Sequence, residues 1–134
     1  MKYDIIKQEK DIIQEVKRYS KRFIEKMGGF YPFAIGMNDT NEIFSIGAYE
    51  RNEFPASQDL VNLLERSINI EISNRHIITA AICIDIYLHQ TVEGVKFKKN
   101  AIEIRFMSAS GNKIEHLIYE LSVNNSVEFI ELES

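Results

Sequence analysis

Tryptophan is missing from this 134-residue chain, proline occurs twice and cysteine once. The lone Cys83 has no partner for an internal disulfide, which excludes a stapled scaffold, and its neighbours Ile82 and Ile84 mark it as a buried thiol rather than a nucleophile. No apolar run approaches the roughly 20 residues that a bilayer-spanning helix needs. The charged stretch from Met1 to Lys10 lacks the apolar middle of a secretory signal. These absences lead to the expectation of a cytoplasmic protein without membrane contact.

Signatures of chemistry are equally scarce. His76, His89 and His116 show no helical i, i+4 pairing and have no nearby cysteine, so no standard zinc spacing exists. No Gly-x-Ser-x-Gly turn occurs. Gly28 and Gly29 follow a helical pattern instead of preceding one, the reverse of the order that cradles a phosphate. Neither a cofactor nor a metal is expected, and an enzyme is the less favoured class.

What is present suffices for one domain spanning residues 1–134. At this length folding buries about two thirds of the unfolded surface, and the 45% apolar and 27% charged shares are those of ordinary globular chains. The net charge of −4 is uneven. Met1 to Met27 carries eight Lys or Arg against five Asp or Glu, leaving the remainder near −7. Such an acidic body argues against a nucleic-acid partner, which needs a clustered basic face.

Periodicity supplies the architecture. Ile12, Val16, Tyr19, Phe23 and Met27 recur at helical spacing and predict an amphipathic helix over Gln8 to Met27, ended by Gly28 and Gly29. Phe30 to Met37 and Glu42 to Tyr49 read as a hairpin around Asn38 to Asn41. Ser57, as N-cap, opens a second helix with Val61, Leu64, Ile68 and Ile72 on its buried stripe. His76 to His89 alternates, with Ile78, Ala80, Ile82, Ile84, Ile86 and Leu88 on one face and a mixed set on the other, as a central strand does.

Gln90 to Lys99 reads as a polar connection, Asn100 to Ser108 as the next strand, and Val127 to Leu132 as the last. Lys113 to Val123 fits either a strand or a helix, and the tight turn before it favours a strand. The predicted fold is α+β, with a curved antiparallel sheet of five to six strands in the order α-β-β-α-β-β-β(-β). Both helices are expected on the all-apolar face.

The segment Phe30-Tyr31-Pro32-Phe33-Ala34 resembles the Phe-x-Pro-Phe-Ala signature of a family of small uncharacterised bacterial α+β proteins. Asp39 to Glu42, Thr79 to Asp85, and Ala101-Ile102-Glu103 match later features of that family. Ile118 stands where the family has a proline before its tyrosine, here Tyr119. The resemblance implies a fold and no established activity. Element order alone is also similar to profilin-like and Roadblock-like domains.

If the apolar faces of the strands coincide, Asp85, Tyr87 and His89 share the other face with Glu103, Arg105 and His116, beside Glu120. A connection centred near Val95 would set Asp85 against Arg105. Such a group serves as a candidate binding patch, and its residue types also suit metal binding or proton transfer. Three readings follow. The favoured one is a non-catalytic protein-binding module, an immunity-type or other bacterial accessory protein, with a homodimer as one form of assembly. The alternatives are a small-ligand domain lined by Phe33 and Tyr87, and a metal-dependent enzyme using the polar sheet face.

Overall fold

A computed structural model describes residues 4–46 and 57–133. Its elements follow the order helix α1 (Ile5–Met27), strands β1 (Phe33–Met37) and β2 (Ile43–Ile46), helix α2 (Ser57–Ser73), then β3 (Thr79–Val92), β4 (Val95–Ser108), β5 (Gly111–Leu121) and β6 (Val127–Glu133). Among the described residues the strands form one curved antiparallel sheet, ordered β2-β1-β3-β4-β5-β6. This is the expected α+β order, with Lys113 to Leu121 in a strand.

Helix α1 begins three residues earlier than its apolar stripe suggests, because the Asp4 carboxylate accepts the Lys7 N–H at 3.0 Å and caps the first turn. It ends at Gly28, whose φ of 80° is the left-handed conformation and whose N–H reaches the Ile24 carbonyl at 2.8 Å. The strand expected from Phe30 starts instead at Phe33. Phe30 and Phe33 pack edge to face, 5.0 Å between centroids, under Phe23. Between Met37 and Ile43, Asn38 Oδ1 accepts the backbone N–H groups of Thr40 and Glu42, both at 3.0 Å, and makes the turn its side chain suggested. Helix α2 begins at Ser57, the residue read as its N-cap, and the strand end at Tyr49 lies outside the described residues.

The two helices divide between the faces of the sheet, in place of the shared face expected from β3. Ile12, Val16 and Ile24 of α1 pack with Ala81 and Cys83, together with Ile35, Ile102, Ile104 and Phe106. Val61, Leu64 and Ile68 of α2 pack with Ala80, Ile82 and Ala34, and with Met107. Alternate residues of a strand point to opposite sides, so the first half of β3 is a central strand buried on both faces. The odd-numbered face looked mixed in sequence, but its two polar members beneath α1, Thr79 and Asp85, are paired. Thr79 donates to Gln8 Oε1 at 2.7 Å, a fully internal bond that pins α1 to the sheet, and Asp85 accepts from Tyr119.

The segment read as a polar connection is strand as well. Glu93 and Gly94, with φ of 51° and 80°, form a two-residue turn of the kind that suits strand twist, and Val92 pairs directly with Val95. The outer half of this hairpin extends past both helices, with every residue from His89 to Lys98 exposed.

Candidate functional site

The β3–β4 turn decides which polar residues meet. Centred between Glu93 and Gly94, it sets Asp85 opposite Ile102 and Arg105 opposite Ile82. Asp85 and Arg105 therefore lie on opposite faces, and the expected six-residue patch divides into two groups. No bulge is involved. The turn sits nearer the N-terminus than Val95, and an odd shift of register reverses the face of every side chain.

On the α1 face, Asp85 is half-buried. Its Oδ1 accepts the Tyr119 hydroxyl at 2.8 Å, and its carboxylate also accepts the Phe30 N–H. Desolvation raises the carboxyl above the ordinary aspartate value, against the lowering effect of these two bonds. Burial, aided by the neighbouring carboxylate, pushes the Tyr119 phenol up as well. Asp85 thus ties the chain after α1 to the sheet: a Cβ on Gly29 would lie 2.9 Å from Asp85 Oδ2. Tyr87 points out to solvent, 62% exposed, with the Lys98 ammonium 5.4 Å from its ring centroid. His89 is exposed and pairs in register with Lys98.

On the α2 face, Glu103 is the hub. One of its oxygens accepts Arg105 Nε at 2.8 Å and the other meets His116 Nε2 at 3.2 Å, while Arg105 reaches Glu65 of α2 at 3.3 Å. Desolvation acts to raise the Glu103 carboxyl, but the bonds from Arg105 and His116 outweigh it and leave it lowered. An open groove of about 230 Å³ adjoins this network, lined by Glu65, Asn69, Arg105, Asn112 and Ile114. The network is internally paired: each carboxylate faces a cation, so it holds α2 against β4 and aims no free base or nucleophile at the groove.

Among the described residues no three His, Cys, Asp or Glu side chains form a cluster able to hold a metal. Burial pushes the Cys83 thiol far up, so it is held as an inert thiol in the core. Of the two side chains expected to line a ligand cavity between helix and sheet, Phe33 packs with Tyr19, Phe23 and Phe30, and Tyr87 faces outward. No described helix is long and apolar enough to cross a membrane.

The surface that sequence reading missed is the hairpin arm itself. Val92, Val95 and Phe97 are 46%, 54% and 49% exposed and share one face, while His89, Lys96 and Lys98 occupy the other. The signal was available: Leu88, Gln90 and Val92 before Glu93-Gly94, and Val95 and Phe97 after it, continue the period of two on both sides of a strong turn dipeptide. From Tyr87 to Asn100 there are three lysines and one glutamate, +2, which leaves −6 for the rest of a chain of net charge −4.

The chain matches no protein-family model, no curated protein and no solved structure.

Proposed function

We propose that the protein is a non-catalytic module that binds another protein, and that the β3–β4 arm is its contact surface. One observation carries this reading. Val92, Val95 and Phe97 lie exposed on a two-stranded projection whose strands pair with each other residue for residue, so an apolar face is presented on a paired hairpin beyond the helices. Lys99 shares this face while Lys96 and Lys98 lie on the other, and together they make the arm positive in an otherwise acidic protein, a distribution that favours an acidic partner and gives orientation during encounter. The paired state of Glu103, Arg105 and His116 supports a structural role for that network over catalysis. Within this class, an immunity-type or other accessory protein is a narrower form of the proposal, as is assembly into a homodimer through the arm.

The test is capture from the native host with wild-type protein and with a Val95→Ser/Phe97→Ser variant of matched thermal stability. A polypeptide retained by the first and lost by the second supports the reading. Equal retention by both, or turnover of a substrate that both proteins sustain, contradicts it.

A further inference from the structure

The outer edge of β6 carries a second, chemically different surface. β6 ends the sheet, so one side of its backbone faces no strand among the described residues. At its first residue α1 seals this side. The Val127 N–H donates to Glu25 at 2.8 Å, and the Val127 carbonyl accepts from Lys21 at 3.2 Å. Beyond Val127, among the described residues, no side chain caps a backbone group of β6.

Where the capping stops, a groove of about 110 Å³ opens between α1 and the edge, lined by Ile13, Lys17, Leu117, Phe129, Ile130 and Leu132. Ile130 and Leu132 are 50% and 42% exposed. On the opposite face of the same strand pair, Glu120 and Glu128 are directly cross-strand partners, both exposed, and neither has a cationic partner among the described residues. Like charges placed opposite each other destabilise a sheet unless a cation lies between them. The edge thus has an apolar groove on one face and uncompensated carboxylates on the other.

We propose that this edge accepts an extended segment of a partner protein as an additional strand, from Phe129 onward. Apolar side chains of the segment enter the α1 groove, and the lysine or arginine at its start, beside Phe129, meets Glu128, whose charge is reinforced by Glu120 behind it on β5. Backbone pairing supplies affinity, and the alternation supplies selectivity, because a strand of period two meets the two faces of the edge with opposite side chains. A second copy of β6 is a poor occupant, since it would bring its own Glu128 to an already acidic edge. The proposal rests on the reading of the chain as a protein-binding module but not on the arm, which lies on β3 and β4.

The probe is the peptide acetyl-Lys-Val-Lys-Ile-Lys-Val-Lys-amide, titrated into isotope-labelled protein at physiological salt and followed by NMR and amide exchange. The expected result is new protection of β6 amides from Phe129 onward, with affinity about tenfold weaker for Glu128→Lys and for a peptide of the same composition with its lysines in one block. Glu128→Gln gives a smaller loss in the same direction and serves if the reversal unfolds the protein. Equal binding of the blocked peptide, or shifts confined to residues outside β6 and α1, overturns the proposal. So does a dimer in which β6 is already protected without peptide. Because the assay does not use the arm, its failure is distinct from failure of the arm variant to lose its host partner.

Discussion

The Tyr119 hydroxyl donates to Asp85 Oδ1 at 2.8 Å, joining β5 to β3 across β4. The residue is almost wholly buried, so Tyr119→Phe removes the donor and leaves a half-buried carboxylate short of one partner, at a cost of about 1 to 2 kcal/mol. Denaturant unfolding of the single variant measures this. A variant as stable as wild type would show that solvent satisfies Asp85 equally well.

Asp85 and Glu103 give opposite pH signatures. Desolvation raises Asp85 in the folded state, so its contribution to stability is present below its unfolded value and is lost as pH rises through the folded value. For Glu103, the bonds from Arg105 and His116 win over desolvation and lower the carboxyl. Its contribution is present above the unfolded value and is lost as pH falls through the folded one. In unfolding series across the acid range, Asp85→Asn should therefore lessen the loss of stability on raising the pH, and Glu103→Gln should lessen the loss on lowering it. Identical profiles for both variants would contradict the assignment of the two carboxyls to different environments.

The division of polar residues between faces is testable by coupling. Asp85 and Arg105 share no partner and lie on opposite sides of the sheet, so Asp85→Ala and Arg105→Ala should add within about 0.5 kcal/mol. Arg105 and Glu103 touch at 2.8 Å, and their double-mutant cycle should show a measurable interaction, reduced by salt. A strong coupling between Asp85 and Arg105 would restore the single patch that the β3–β4 register rules out.

Burial separates Ile82 from Ile84. Ile82 is fully enclosed under α2, and Ile82→Ala should cost about 2 to 4 kcal/mol through lost burial and the cavity left behind. Ile84 only flanks that cluster, and its truncation should cost clearly less. Ile104→Ala, beneath α1 on the other face, should match Ile82→Ala. Equal small effects at Ile82 and Ile104 would contradict a sheet with a core on each side.

Element order was legible because local signals agreed with one another: the helical stripe of α1 with Gly28 behind it, the Asn38 turn, and the alternation of β3. Side assignment was not legible from those signals. Ala80, Ala81, Ile82 and Cys83 are all fully buried, and a strand covered on both faces carries no contrast that tells which helix takes which side. The site depended on register, which one turn controls. Placing the turn at Glu93-Gly94 instead of near Val95 moves Asp85 away from Arg105, and it also converts a polar loop into an exposed arm. The Glu103 network needed Glu65, contributed by a helix that sequence distance separates from β4 and that only packing brings near.

The most direct measurement for the binding account is a calorimetric titration of the recovered host partner into wild-type protein and into the Val95→Ser/Phe97→Ser variant, with equal folding confirmed by thermal unfolding. Removing two apolar contacts from the centre of an interface should weaken affinity by tenfold or more, roughly 1.4 kcal/mol at the least. Raised salt should weaken the wild-type interaction further through Lys99, which lies on the same face as Phe97. Affinity unchanged by the double substitution would contradict the account by removing the arm from the interface.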